Sequence, residues 1–180
     1  MRTRLPLLLV APCAFALVAG LLLASSSASG EESSQRPECS ITGTNGDDEL
    51  RGTSGPDVIC PRGGHDHVFA RGGDDVLFLG PGSDYFDGGR GDDRIYGGRG
   101  GDVGDGGRGN DRIFFQWGHD EVAEDYYGAD LYSGGSGNDR LCSADGEGND
   151  RVIGGPGRDY YSADDGDVVR SVEVYRPCRY

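Results

Sequence analysis

Apolar side chains recur every nine residues through most of this chain, and each follows a glycine-rich stretch. Thirteen copies of a nine-residue unit cover residues 43–162, with one residue inserted at Glu124 and two at Ser143 and Ala144. The last three residues of the unit predict a short strand with one inward side chain, and the six before them predict a turn. The eighth place is apolar or aromatic in every copy but one, where Gly104 is expected to leave a hole in the inward row. The apolar eighth places are Leu50, Ile59, Val68, Leu77, Phe86, Ile95, Ile113, Val122, Tyr132, Leu141, Val152 and Tyr161.

Two places of the unit do not vary, since the fourth is glycine and the sixth is aspartate in all thirteen copies. Glycine allows a sharp turn that aims carbonyl oxygens into one small volume, and the carboxylate adds a hard anionic oxygen. Such oxygens are the ligands that Ca²⁺ prefers, whereas the softer ligands of zinc and copper are absent from the repeating places. The candidate calcium ligands are therefore Asp48, Asp57, Asp66, Asp75, Asp84, Asp93, Asp102, Asp111, Asp120, Asp130, Asp139, Asp150 and Asp159.

Residues 88–96 give the unit in full as G-G-x-G-x-D-x-U-x, where U is apolar. This unit resembles the RTX (haemolysin-type) nonapeptide repeat, and thirteen tandem copies make the resemblance specific. The resemblance implies an all-β fold, a parallel β-roll solenoid in which two repeats form one turn. It also implies that calcium is held between a loop and the loop two repeats along, so that thirteen loops would bind up to about eleven ions.

The first thirty residues predict a targeting segment rather than part of the fold. Arg2 and Arg4 precede a nearly continuous apolar run over residues 5–24, which is followed by small polar residues up to Gly30. A signal peptide is the first interpretation. The run is also long enough to span a bilayer, so a retained N-terminal anchor is the alternative. In the first case the protein is secreted, and in the second the repeats lie on the outer face of the cell membrane.

Three segments follow residues 1–30. Residues 31–42 are expected to form a linker and the first rung, because Ile41 falls at the eighth place of an incomplete unit. Residues 43–162 are the predicted calcium-binding roll. Residues 163–180 are expected to form a C-terminal cap strand, since the pattern degrades there and Val168 stands where the sixth-place aspartate belongs. Atypical terminal units commonly protect the open edge of a solenoid.

Four cysteines lie beyond the leader. Cys39 and Cys60 fall in adjacent turns on the same side of the predicted roll, so an exported chain is expected to join them in a disulfide. Cys142 and Cys178 would then form the second pair. Four cysteines allow three connectivities, and the sequence does not choose among them.

The chain has a net charge of −14, with 31 acidic residues against 17 arginines and no lysine. So acidic a composition is typical of unfolded segments, and we expect the metal-free chain to be largely unfolded. Nucleic acid is not expected as a partner, because binding phosphates requires a basic surface. The arginines at the third and seventh places, such as Arg90 and Arg94, are expected to offset the aspartate rows, with a polyanion-binding stripe as the alternative. His65, His67 and His119 are expected to lie on the solvated surface.

Residues 114–127 depart from the unit and gather five aromatic side chains, those of Phe114, Phe115, Trp117, Tyr126 and Tyr127. Two interpretations stay open for this segment. It is either a protein- or glycan-binding patch, or a loosened turn whose aromatic rings shield the rung beside the inserted residue.

No catalytic motif is present in the sequence. His119-Asp120-Glu121 lacks the second histidine of H-E-x-x-H, and Gly135-Ser136-Gly137 has the wrong spacing for G-x-S-x-G. The leader, the array and the cap account for the whole chain, which predicts that the protein is not an enzyme. Ice binding through a threonine ladder is also excluded, because the four threonines are too few to form one.

The sequence therefore predicts an exported calcium-ion-binding protein whose β-roll folds on calcium and serves as a structural or interaction module. The alternative is a surface-anchored, adhesin-like roll with a partner site near residues 114–127. The array is expected to be strongest over residues 61–96. It is expected to be weakest at its ends, at Gly104 and at the Ser143-Ala144 insertion.

Overall fold

The computed structural model describes residues 36–122, 128–144, 149–172 and 174–175. The predicted leader and Tyr126, Tyr127 and Cys178 lie outside these residues. No helix within the described part is long and apolar enough to cross a membrane. The strands are β1 (Ile41–Thr42), β2 (Glu49–Arg51), β3 (Val58–Cys60), β4 (His67–Phe69), β5 (Val76–Pro81), β6 (Tyr85–Arg90), β7 (Arg94–Arg99), β8 (Val103–Arg108), β9 (Arg112–Trp117), β10 (Glu121–Val122), β11 (Leu131–Ser133), β12 (Arg140–Cys142), β13 (Arg151–Ile153), β14 (Tyr160–Ser162), β15 (Val168–Arg170) and β16 (Val174–Tyr175).

The strands alternate between two parallel sheets of eight strands each. Sheet A contains the odd-numbered strands and sheet B the even-numbered ones, and each strand pairs with the strand two along in the chain. In sheet A, Leu77 lies opposite Ile95, and Ile95 lies opposite Ile113, a register of eighteen residues. Two repeats therefore form one turn, with seven complete turns from β1 to β15. The predicted all-β parallel roll is confirmed.

The eighth-place side chains fill the space between the two sheets. From Ile59 to Val152 the apolar ones are fully buried, while Leu50 and Tyr161 near the ends are partly buried. A one-residue shift of any strand would turn its apolar residue outward, so this inward row fixes the register.

The first place of the unit also points inward, which the sequence interpretation missed. Ala70, Leu79 and Phe115 occupy first places and are fully buried in the core. Strands β5 to β9 are six residues long, so they run through the end of one repeat into the first three places of the next. The eighth place and the following first place are two residues apart, and on an extended chain such residues share a face. The prediction of one inward residue per repeat is therefore wrong for the central turns.

The expected hole at Gly104 is not present either. The ring of Phe86, which lies opposite Gly104 in sheet B, covers the position, and a Cβ on Gly104 would lie 2.7 Å from the ring. Phe115 packs against Phe86, with ring centroids 5.9 Å apart. The large residues beside Gly104 therefore fill the space that this glycine leaves.

The two ends of the roll extend the same sheets. Ile41 lies opposite Ile59, so the incomplete first unit forms a rung as predicted. The predicted disulfide between Cys39 and Cys60 is confirmed, with Cα atoms 5.9 Å apart. Cys142 is also disulfide-bonded, and Cys178, its predicted partner, lies outside the described residues. At the other end, β15 and β16 add one strand to each sheet.

We expect Gly104→Ala to destabilise the folded protein by about 1–3 kcal/mol, because the new methyl group would overlap with Phe86. Urea unfolding at saturating calcium measures the effect. Gly55→Ala is the matched control, since nothing lies within 4 Å of its Cβ position. A gain in stability for Gly104→Ala would instead mean that the space is empty.

Candidate metal centres

The thirteen sixth-place aspartates form two rows, one along each edge of the roll. Each aspartate ends a loop and directly precedes the seventh place, where a strand begins. All of them from Asp57 onward are buried, and Asp48 in the first loop is partly buried. Repeats alternate between the two edges. One row is therefore Asp48, Asp66, Asp84, Asp102, Asp120, Asp139 and Asp159, and the other is Asp57, Asp75, Asp93, Asp111, Asp130 and Asp150.

Hydrogen bonds link the members of each row. The backbone N–H of Asp75 donates to Oδ1 of Asp93 at 2.8 Å, and the N–H of Asp93 donates to Oδ1 of Asp111 at 2.7 Å. The same bond recurs along both rows, from Asp48 and Asp66 at one end to Asp139 and Asp159 at the other. From Asp66 onward each carboxylate is therefore fixed in orientation by the backbone of the preceding turn, and its Oδ1 is occupied.

The second oxygen of most of these carboxylates has no such bond. It is buried, and it has no hydrogen-bond partner among the described residues, although a buried polar atom without a partner costs about 1–3 kcal/mol. These oxygens are Oδ2 of Asp66, Asp75, Asp84, Asp93, Asp102, Asp111, Asp120, Asp139 and Asp159.

Burial raises the pKa of these carboxyls strongly in the middle of the roll. It raises the pKa of Asp93 to about 8 and the pKa of Asp102 and Asp111 to about 7. Asp75 and Asp120 reach a pKa of about 6 for the same reason. Repulsion from neighbouring aspartates in the row adds to the burial effect. Both causes disfavour the charged form, so the buried rows would be stabilised by a cation.

The two carboxylates at the N-terminal end of the roll are satisfied by the protein itself. Thr44 donates its N–H and its hydroxyl to Oδ2 of Asp48, at 2.6 and 2.9 Å. The N–H of Thr53 donates to Oδ2 of Asp57 at 2.7 Å. The bond from Thr53 lowers the pKa of Asp57, in contrast to the raised values further along the roll. Threonine stands at the second place in these first two repeats only, and the sequence interpretation assigned it no role.

Asp167 is a further member of the second row that the sequence interpretation missed. Its Oδ1 accepts the N–H of Asp150 at 3.1 Å, as a sixth-place aspartate does for the turn before it. Its Oδ2 accepts bonds from the Ser143 hydroxyl and the Asp164 N–H, at 3.0 and 2.8 Å. The loop before Asp167 is one residue shorter than the unit, so counting by nine placed Val168 at the sixth place. The D-x-U pattern of Asp167-Val168-Val169 is the sequence signal that could have identified Asp167 as a sixth-place residue.

Glycine is required where successive loops stack. Gly100 has a φ of 129°, and a Cβ there would overlap with the carbonyl oxygen of Gly82 in the loop one turn earlier. At the first place, a Cβ on Gly97 would lie 2.5 Å from Oδ2 of Asp102 and 2.9 Å from the carbonyl oxygen of Phe115. A carboxylate oxygen and a carbonyl oxygen thus converge on a space that a side chain would fill. These hard, anionic and neutral oxygens fit the donor set of calcium.

The fifth-place side chains form a second ladder on the outside of the loops. Oδ1 of Asp92 accepts the N–H of Asn110 at 2.9 Å, one turn further along. His65 and His119 act in the same way, because their Nδ1 atoms accept the N–H of Ser83 and of Asn138 at 3.1 and 2.8 Å. These two histidines are exposed, as expected, but they also tie neighbouring loops together.

The arginines do not pair directly with the sixth-place row. The two ion pairs between described residues join Arg51 to Glu49 and Arg140 to Glu121. The expectation that the arginines offset the aspartate rows therefore has no direct contact behind it. Within the described residues there is also no group of three or more His, Cys, Asp or Glu side chains arranged around a metal position.

A sequence model of the family described as RTX calcium-binding nonapeptide repeat (4 copies) matches residues 42–77, 62–86, 80–113, 126–141 and 144–168, which together exceed half of the chain. The chain belongs to this family. No curated protein matches the chain. The RTX loops are the same loops that carry the buried aspartate rows, so the family match and the site geometry coincide.

The raised pKa values give the metal-free RTX roll a pH dependence of definite sign. The carboxyls of Asp93, Asp102 and Asp111 have pKa values of about 8, 7 and 7 in the fold, against an ordinary value of 3.8. The folded state therefore binds protons more tightly than the unfolded state. The stability that these three carboxyls contribute is fully present below a pH of about 4 and is lost as the pH rises through about 7 to 8.

In a metal chelator we accordingly expect more β-structure at a pH of about 5 than at a pH of about 8, measured by far-UV circular dichroism. Calcium competes with protons for the same oxygens, so the calcium midpoint should fall as the pH rises over this range. Metal-free structure that increases with pH would contradict the assignment of raised pKa values to the buried rows.

Proposed function

We propose that this protein is exported and that its RTX roll folds on calcium, to serve as a structural or interaction module. The observation that carries the proposal is the burial of two rows of carboxylates, most of whose Oδ2 atoms have no hydrogen-bond partner among the described residues. A fold that buries these charges is unfavourable until a cation offsets them. The family match supports calcium as that cation.

The sixth-place aspartates would hold the ions through Oδ2, together with main-chain carbonyl oxygens of the stacked loops. Bound calcium would supply the positive charge that the rows lack. Each aspartate orients its Oδ2 by fixing Oδ1 to the backbone of the preceding turn, as Asp93 does to Asp75. The first-place glycines, such as Gly97, keep the space beside Oδ2 free of side chains.

Thirteen stacked loops would allow up to about eleven ions. The loops of Asp48, Asp57 and Asp167 carry their own donors to Oδ2. We therefore propose that the ions concentrate in the interior of the array. In the terminal loops of Asp48, Asp57 and Asp167, protein hydrogen bonds to Oδ2 would take the place of an ion.

Export rests on the sequence of residues 1–30, and a retained anchor would give the adhesin-like alternative. We propose no catalytic role. The aromatic side chains of segment 114–127 do not all lie on one surface, because Phe115 belongs to the core whereas Trp117 is 55% exposed. A partner site in that segment would therefore use Phe114 and Trp117 but not Phe115.

The first test is calcium-dependent folding of the full chain. With excess chelator at neutral pH we expect a far-UV circular dichroism spectrum of a largely unfolded chain, and with calcium a β-rich one. The titration should be sigmoidal, because a loop gains its ion contacts only when the loop one turn away is in place. Magnesium serves as the control ion, since its octahedral preference fits such loops poorly. A β-rich spectrum in chelator would sink the proposal.

The second test compares Asp93→Asn with Asp92→Asn, which remove the same charge from adjacent residues. Asp93 lies in the buried row, whereas Asp92 is exposed at the fifth place. At calcium of ten times Kd each ion contributes about 1.4 kcal/mol, so Asp93→Asn should lose roughly 1.4–3 kcal/mol of unfolding free energy. Asp92→Asn should lose less than about 0.5 kcal/mol. Urea unfolding at fixed calcium and salt gives both values, and equal losses would refute ion binding at the buried row.

A further inference from the structure

The outward face of sheet A carries no carboxylate, although the chain has 31 acidic residues. This face consists of the seventh-, ninth- and following second-place residues of the rungs of β1 to β15, and we call it face A. Every one of its positions lies in the described part of the chain. Its charged residues are all arginines, namely Arg62, Arg94, Arg112, Arg151 and Arg170.

The outward face of sheet B is different. Its strands carry Glu49, Asp87, Asp105 and Glu121 among their outward residues, next to arginines. The two ion pairs between described residues, which involve Glu49 and Glu121, both lie on this face. Acidic and basic residues are therefore mixed on sheet B and separated on face A.

The arginines of face A are placed where they repel one another. Arg94 and Arg112 lie opposite each other on β7 and β9, both are exposed, and neither takes part in the two ion pairs. Like charges directly opposite on neighbouring strands are destabilising. Asp92, in the loop beside this face, attracts Arg112. A ligand that brought negative charge to the face itself would relieve the remaining repulsion.

An aromatic stripe runs beside these arginines on face A. The rings of Phe78, Tyr96 and Phe114 stack on one another, with centroids 5.0 and 5.4 Å apart and planes within 16° of parallel. The guanidinium of Arg36 covers the other side of Phe78 at 5.1 Å. Because the ring faces are turned to each other, the stripe presents ring edges to the outside. Those edges are the positive part of the ring quadrupole and attract oxygen atoms.

A groove of about 700 Å³ lies along this stripe. Its lining includes Arg36, Arg62, Phe78, Tyr96 and Gln116, and its floor includes two second-place glycines. Arg99, which follows the second-place Gly98 in the chain, lies over the exposed ring of Trp117 with its guanidinium 5.9 Å from the ring centroid. The groove crosses several rungs and therefore suits an extended ligand that lies along the roll rather than along a strand.

We propose that face A binds an acidic polysaccharide, with one sugar ring to each rung and its carboxylates on the arginines. Neighbouring parallel strands are about 4.8 Å apart, which is comparable to the advance of a pyranose chain per residue. Guanidinium groups bind carboxylates in a bidentate manner and stay charged at any relevant pH. Hydroxyl groups of the sugars find polar partners in Tyr96 and Gln116, and Trp117 offers an amphipathic ring at the margin.

Single-stranded nucleic acid fits this face less well. Its sequence-independent binding relies on aromatic ring faces that stack with bases, and those of Phe78 and Tyr96 are already covered by neighbours. Five of the eight rungs of face A carry an arginine, and a polymer with a charge on every short unit presents a carboxylate to each of them. Nucleic acid is therefore the competing outcome of the test.

The experiment titrates the full chain at saturating calcium with a short oligogalacturonate, too short to be cross-linked into a gel. Binding is followed by calorimetry and by the fluorescence of Trp117, the single tryptophan of the chain. The test variant is Arg94→Gln/Arg112→Gln. The matched control is Arg90→Gln/Arg108→Gln, which removes an equally charged pair in register on β6 and β8 of sheet B.

We expect the oligogalacturonate to bind the unmodified chain and to shift the Trp117 fluorescence. The test variant should bind at least fivefold more weakly, and the control should stay within twofold of the unmodified chain. Circular dichroism at the same calcium concentration checks that both variants are folded. All four substituted arginines are exposed, so neither variant should lose the fold.

Three results would overturn the proposal. Equal weakening in the two variants would show attraction to the protein as a whole rather than to face A. Equal binding of the fully methyl-esterified, uncharged oligogalacturonate would show that the arginines do not bind the carboxylates of the ligand. Tighter binding of a single-stranded oligonucleotide of the same charge would replace the polysaccharide with nucleic acid.

Discussion

The burial of negative charge is the constraint on which the rest of this structure depends. Stacking the loops brings one carboxylate per repeat into a row from which water is excluded, and the row is fixed by bonds such as that from Asp75 N–H to Asp93 Oδ1. The inward apolar row contains only one or two side chains per repeat, so its hydrophobic burial offsets the cost of burying these charges only modestly. We therefore expect the stability of the fold to depend on what neutralises the two rows.

The aspartates are not equivalent along the roll, although the sequence repeats them without change. At the first loops Thr44 and Thr53 supply donors to Oδ2, and at the other end Ser143 supplies one to Asp167. In the interior the Tyr132 hydroxyl donates to Oδ2 of Asp130, whereas carboxylates such as Asp93 have no such donor among the described residues. The same residue type thus has a lowered pKa at Asp57 and a strongly raised one at Asp93. The second-place residue of its own repeat and the depth of burial in the stack together decide the chemistry of each carboxylate.

The strict nine-residue period was sufficient to predict the short strands and their inward row, and the resemblance to the RTX repeat supplied the parallel roll and its two repeats per turn. The Cys39–Cys60 bond was expected from that two-repeat turn, although the sequence left three connectivities open. The sequence was insufficient where residues of different turns meet. The ring of Phe86 fills the space beside Gly104, and their contact spans eighteen residues of sequence. The role of Asp167 was hidden by a single deleted residue. The acid-free face of sheet A was hidden because its residues are interleaved with those of sheet B.

The eighteen-residue register has a consequence for how such a chain can change in length. Adding or removing two repeats leaves every downstream residue on its own sheet and edge. Adding or removing one repeat would keep an inward row, since the eighth place is apolar in every copy but that of Gly104, but it would exchange the two outer surfaces beyond that point. The arginines and aromatic rings that now lie together would be split between opposite sides. Duplications within this array therefore preserve the outer surfaces only when they add an even number of repeats.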